Sequence, residues 1–181
     1  MKLMIASDIH GSAAYCRQLK KAFDRENPTK LLLLGDILYH GPRNALPLDY
    51  NPQEVVAILN GIREALLCVR GNCDTEVDQM LLTFPILAEY CTLFWQGKTI
   101  FATHGHHFHA DALPPLSKGD ILLCGHTHVP ACFDTDGVLY LNPGSVSIPK
   151  EASPHSYMIL EDTMAYWKSL EGEIWKTETL F

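Results

Sequence analysis

Five short apolar runs, each closed by a polar cluster, set the pattern of this chain. The runs are Lys2–Ala6, Leu31–Leu34, Leu66–Val69, Thr99–Ala102 and Ile121–Cys124. Each is four or five residues long and rich in Leu, Ile, Val or Ala, which predicts buried strands. The clusters that follow are Asp8-Ile9-His10, Gly35-Asp36, Gly71-Asn72-Cys73-Asp74, His104-Gly105-His106 and Gly125-His126-Thr127-His128. Strands that end this way can bring Asp, His and Asn to one carboxyl rim, where open α/β sheets bind their ligands.

Helical periodicity fills the gaps in the first half. Gly11-Ser12 can turn and cap a helix over Ala13–Arg25, with Leu19, Ala22 and Phe23 on its inner face. Asn51-Pro52-Gln53-Glu54 is a second helix start, with an Asn cap, Pro at the first position and Glu three after the cap. That helix should reach about Ala65, with Val55, Ile58, Leu59 and Ile62 on one face. The long segment Ile37–Tyr50 between them carries His40, Gly41, Arg43 and two prolines; loops of this length in compact domains are usually functional or mobile.

The second half is strand-rich. Cys91–Trp95 and Thr99–Ala102 flank Gln96-Gly97-Lys98, and Ala131–Phe133 and Val138–Leu141 flank Asp134–Gly137, both patterns of hairpins. Ser156–Glu161, Met164–Lys168 and Glu173–Glu178 complete a run of antiparallel strands. The order of elements predicts βαβ units first and two stacked sheets with helices outside, an α/β fold in a single domain over residues 1–181. Phe94, Trp95, Tyr140 and Trp167 read as sheet-packing aromatics.

Charge and cysteine content narrow the classes. The formal net charge is −7 with no polybasic arm, which argues against long nucleic acids and against a membrane surface. The six cysteines contain no C-x-x-C pair and follow no secretory leader, so reduced thiols and a cytoplasmic location are expected. No apolar stretch approaches the length of a bilayer span.

The cluster residues are those that hold divalent cations. Asp8 and His10, and likewise His126 and His128, stand two apart, which on extended chain points both side chains to one face. Asp36 has two oxygens and can bridge two cations, while His104 and Asn72 add a nitrogen and a neutral oxygen. Mixed His and carboxylate donors suit Mn²⁺, Fe²⁺ or Zn²⁺. Two such ions against Asp8 and Asp36 leave the site at about +2, or about +1 with a bound hydroxide, enough to attract phosphate to an acidic protein. Paired ions roughly 3.5–4 Å apart can activate a bridging water and steady an in-line displacement at phosphorus.

Together, Asp8-x-His10, Gly35-Asp36, Gly71-Asn72-x-Asp74, His104-Gly105-His106 and Gly125-His126-x-His128 resemble the calcineurin-like metallophosphoesterases. His40-Gly41-Pro42-Arg43-Asn44, Arg70–Asp74 and Asn142-Pro143-Gly144-Ser145-Val146-Ser147 are similar to the YfcE-type bacterial phosphodiesterases within them. The likeness runs from Asp8 to about Pro149. It implies a four-layer α/β/β/α sandwich of two mixed sheets flanked by helices. It also implies one ion held by Asp8, His10, Asp36 and His128, and another by Asp36, Asn72, His104 and His126. One position departs from the wider superfamily, which usually has His directly after the Asn; here it is Cys73, a weaker hydrogen-bond donor, so esters with good leaving groups should be favoured.

These observations predict a phosphodiesterase with two divalent ions, Mn²⁺ foremost, in which a bridging hydroxide attacks a small phosphodiester. His106 and Cys73 are the catalytic candidates beside that nucleophile, and Asn72, His40 and Arg43 the substrate-binding ones. His107 and His109 read as solvated loop residues. The rival readings are a phosphomonoesterase or nucleotide pyrophosphatase, and a non-catalytic scaffold of the same fold such as the retromer subunit. A homo-oligomer is left open.

Overall fold

The computed structural model describes residues 1–181. Its first sheet begins with β1 (Lys2–Ala6), β2 (Lys30–Leu33) and β3 (Leu66–Cys68), which run parallel and are joined by α1 (Ala13–Glu26) and α2 (Pro52–Asn60). A short helix α3 (Glu76–Leu81) leads to β4 (Tyr90–Trp95) and β5 (Lys98–Thr103), and β6 (Ile121–Leu123), β7 (Ala131–Thr135) and β8 (Val138–Asn142) follow. The chain then returns to the first sheet as β9 (Ser156–Glu161), β10 (Met164–Ser169) and β11 (Ile174–Thr179). One sheet has the order β11-β10-β9-β1-β2-β3 and the other β4-β5-β6-β8-β7. Both are mixed, because β9 lies antiparallel to β1, and β6 lies parallel to both β5 and β8.

Helices α1 and α2 form where capping and periodicity coincide. Ser12 accepts from the Tyr15 N–H to open α1, and Asn27 closes it in the left-handed conformation. Asn51 accepts from the Glu54 N–H with Pro52 in the first turn, and α2 stops at Asn60, earlier than expected. Gly61 interrupts it, and Arg63–Ala65 form a separate 3₁₀ turn.

Strand β1 is buried on both faces, which is why its residues read as a continuous apolar run. Met4 and Ala6 pack with Leu31 and Leu33 under α1 and α2, while Leu3 and Ile5 pack with Leu32 against Ile100, Ile121, Leu123 and Trp167 between the sheets. The outer face of the second sheet is covered differently from the expected helix. Phe101, Leu122 and Tyr140 lie under Phe108, Leu113 and Leu116, which belong to the irregular segment 105–120. Pro114, Pro115 and Gly119 deny that segment a helix. Trp95, Tyr140 and Trp167 pack inside as expected, whereas Phe94 is 82% exposed.

Candidate metal centre

The five clusters converge, but not by strand alternation. β1 ends at Ala6, and Asp8 (φ 60°), His10 (49°), Asp36 (55°), His126 (66°) and His128 (62°) all adopt left-handed backbone beyond their strands. Non-glycine residues in this region cost of order 1–3 kcal/mol each and cluster at functional sites, so the rim stores strain to aim these side chains. Main-chain bonds enforce it: Asp8 N–H donates to the Gly35 carbonyl at 3.1 Å and His10 N–H to the Asp36 carbonyl at 2.9 Å.

Two glycines let the loops meet. A Cβ on Gly71 would lie 2.1 Å from Asp36 Oδ1, and one on Gly125 would lie 2.0 Å from Ser7 Oγ. Asp74 ties the loops from beneath, its buried carboxylate accepting N–H bonds from Asp36 (2.8 Å), Ile37 (2.9 Å) and Gly71 (2.7 Å). Ser145 and Ser147 each donate a hydroxyl to the Asp8 carbonyl at 3.0 Å. Asn142 donates to the Gly125 carbonyl at 2.7 Å, so the Asn142–Ser147 segment braces the rim. The Asn142–Ser147 motif is visible in the sequence, but its bracing of Asp8 and Gly125 depends on contacts distant along the chain.

At the centre, acceptor atoms crowd together. His10, His104 and His128 each donate Nδ1–H to a backbone carbonyl, of Tyr39 (2.7 Å), Leu34 (2.6 Å) and Ile148 (2.6 Å) respectively. Carbonyls only accept, so this fixes the tautomer and turns each Nε2 inward as a metal-ready donor. His10 Nε2 then lies 3.3 Å from His128 Nε2, and Asp8 Oδ1 lies 3.5 and 3.3 Å from these two nitrogens. On the other side His104 Nε2 meets Asn72 Oδ1 at 3.0 Å, His126 Nδ1 at 3.2 Å and Asp36 Oδ2 at 3.4 Å. Asp36 Oδ2 is also 3.7 Å from His10 Nε2, so it stands between the two groups.

The electrostatics record a demand for positive charge. Burial opposes ionisation of Asp8, yet His10 and His128 outweigh it and hold the carboxyl well below the usual carboxylate range. Burial is likewise outweighed at Asp36, lowered by His104. His104 answers in kind: burial would lower it, but Asp36 and Asp8 push it up to about 9. A proton on His104 answers that demand when no cation does. Asp8 Oδ1 is buried with no hydrogen-bond partner, which fits a cation placed beside it.

The centre floors a cleft of about 470 Å³. Arg43, Asn72 and Cys73 line it, together with Asn44 and Thr127, which stand in the sequence motifs with no role assigned, and Lys150, which carried no local signal. Burial and Asp36 push the Cys73 thiol up to about 12, and its sulfur accepts from Asn72 Nδ2 at 3.2 Å. His40 lies outside the lining; its ring packs edge-on against Tyr39 and Tyr50. His106 faces a neighbouring hollow across His126, its ring tilted by 41° against His107 at 4.0 Å; burial and His104 lower it to about 4, so it is neutral. His107 is exposed and pairs with Glu89 at 3.2 Å. All six cysteines are free, and no helix is long and apolar enough to cross a membrane.

This fold and this ring of donors define a phosphoesterase class. The calcineurin-like phosphoesterase superfamily domain matches residues 1–163, and the chain belongs to that family. Within it, Phosphodiesterase YfcE of Escherichia coli K12 is 47% identical over 162 residues, covering 90% of this chain and 88% of its own. The solved structure of YfcE, a phosphoesterase from E. coli, covers all of both chains with a TM-score of 0.96 at 43% identity. The Zn²⁺ complex of Vps29 from Entamoeba histolytica, at 20% identity and TM-score 0.62 over the whole of both chains, shares the fold.

Proposed function

We propose that this chain is a phosphodiesterase working with two divalent cations, in the cytoplasm, on a small phosphodiester. Asp8, His10, Asp36 and His128 would hold one ion, and Asp36, Asn72, His104 and His126 the other. The observation that carries the reading is the pair of facing nitrogens, His10 Nε2 and His128 Nε2, 3.3 Å apart with both Nδ1 protons committed to carbonyls. Two lone pairs do not face each other in a buried site without a proton or a cation to hold them. The donor set suits Mn²⁺, with Fe²⁺ or Zn²⁺ as alternatives. Six free thiols accord with a reducing compartment.

When bound, the ions supply an activated water and Lewis-acid stabilisation of charge on phosphorus oxygens. The chain's residues supply the placement. Asp36 spans both donor groups, with Oδ1 fixed by the Cys73 N–H at 2.8 Å so that Oδ2 stays aimed between them. The three carbonyl-anchored histidines keep their ring planes through the reaction. Arg43 and Lys150 attract the anion to the cleft. Cys73 keeps its proton at neutral pH but releases it reluctantly, so it helps an alkoxide leaving group little. A scaffold reading would leave gaps among the donors, and every position is filled. Hydrolysis of bis(4-nitrophenyl) phosphate that is lost on chelation and restored by Mn²⁺ supports the reading; hydrolysis indifferent to chelation rejects it.

A further inference from the structure

The cleft is more cationic than a simple diester requires. Its lining contains one carboxylate, Asp36, and two cationic side chains, Arg43 and Lys150, on separate loops. Neither cation forms an ion pair, although the chain carries 21 Asp and Glu against 14 Lys and Arg. Added to a metal centre of about +1 to +2, they bring the cleft to about +3 or more, and a diester monoanion leaves most of that unanswered.

The backbone of both residues is held in place, and their charged side chains are exposed to the cleft. Asn44 N–H donates to the Gly41 carbonyl and Asn44 Nδ2 to the His40 carbonyl, closing the Arg43 turn, and a Cβ on Gly41 would lie 3.4 Å from the Cys73 sulfur. Lys150 N–H donates to the carbonyl of His128, and its own carbonyl accepts from Ser153 N–H at 3.0 Å and Ser153 Oγ at 2.6 Å. The central residues of that turn, Glu151 and Ala152, have φ of 53° and 56°. Positive φ at both centres is the habit of Asn-Gly turns. Glu and Ala bear strain there, and what the strain achieves is to fix Lys150 beside the metal-binding loop.

The lining also excludes substrates. It contains no Leu, Ile, Val, Met, Phe, Tyr or Trp, so there is no platform for a nucleobase or a lipid chain. Its histidines, His10, His126 and His128, are engaged at the centre.

We infer that Arg43 and Lys150 form an anion subsite for a second negatively charged group on the diester, a phosphate or a carboxylate carried by the alcohol that is not displaced. The substrate class is then a small polar phosphodiester with at least two negative charges. The inference rests on the phosphodiesterase reading for turnover, but not for binding.

The test uses one leaving group and varies the retained one: methyl, 2-carboxyethyl and 2-phosphoethyl esters of 4-nitrophenyl phosphate, with Mn²⁺-loaded protein. In parallel, calorimetry compares binding of methylphosphonate and phosphonoacetate. The expected result is a preference of at least about tenfold in kcat/KM for an anionic ester, carried mainly by KM and weakened by salt, with phosphonoacetate the tighter ligand. The carboxy and phospho arms say which anion fits. In Lys150→Gln with Arg43→Gln, both preferences should fall towards one. Equal handling of neutral and anionic compounds by the unaltered protein, or a preference that survives the double substitution, overturns the inference. Preferential binding without turnover of any ester leaves the subsite standing and removes the phosphodiesterase reading instead.

Discussion

Replacing Asp74 by Ala strands three buried backbone N–H groups at once. Asp36 and Gly71 N–H both donate to Oδ2, and Ile37 N–H to Oδ1, all within 2.9 Å. Each buried donor left without an acceptor costs about 1–3 kcal/mol. Three would cost ~3–9 kcal/mol in a rigid site, and entry of water with loop relaxation brings the expectation to about 4 kcal/mol. For a chain of 181 residues, roughly 2–4 °C of midpoint per kcal/mol gives a loss of ~8–16 °C. Asp74→Asn should lose about half as much, since its amide oxygen can serve the two N–H groups at Oδ2 while its NH₂ opposes Ile37. Thermal unfolding of chelated and Mn²⁺-loaded protein reads both. Because the stranded groups flank Asp36 and Asn72, metal affinity should fall as well. A midpoint within about 2 °C of the parent for Asp74→Ala would refute the idea that this carboxylate ties the loops together.

Three further outcomes follow from the site. Gly71→Ala should weaken metal binding sharply, as the new Cβ would fall 2.1 Å from Asp36 Oδ1; equilibrium dialysis showing unchanged affinity would contradict the close approach. His104 is raised from 6.5 to about 9, so its charged form stabilises the cation-free fold fully below pH 6.5, and that contribution is lost as pH rises through about 9. The midpoint of chelated protein should accordingly decline over that interval while metal affinity climbs; a rising midpoint attributable to this group in a His104→Gln comparison would be the wrong sign. Cys73→Ala should leave turnover of activated diesters within a few-fold, and Cys73→His should help alkoxide-like leaving groups by less than the roughly 10²–10⁴-fold of a well-placed acid. Abolished turnover in Cys73→Ala with metals still bound would give the thiol an essential role.

Much of the fold was legible because burial on both faces of a strand leaves an unbroken apolar run, as at Met4–Ala6 and Ile121–Leu123. The donor residues were legible as types, since few pressures place so many Asp and His at strand ends. How they are aimed was not. Asp8 and His10 share a side through left-handed backbone and not through extended pleating, a conformation imposed by tertiary main-chain bonds to Gly35 and Asp36. Helix α3 was missed because Val77, Met80 and Leu81 are exposed, so it offers no buried stripe to the sequence; its Thr75–Asp78 capping box was the available signal. Lys150 gave no signal either, because its place in the cleft depends on a turn of Glu151 and Ala152 that no turn propensity favours.

Asp36 is proposed to serve two cations at once. The most direct measurement is metal content per chain, by elemental analysis, alongside diester hydrolysis for the parent and Asp36→Asn. Two ions per chain are expected in the parent, one or fewer in Asp36→Asn, and a loss of turnover of at least about 100-fold with the cooperative unfolding transition retained. An Asp36→Asn protein that holds two ions and hydrolyses the diester within a few-fold of the parent would contradict this role.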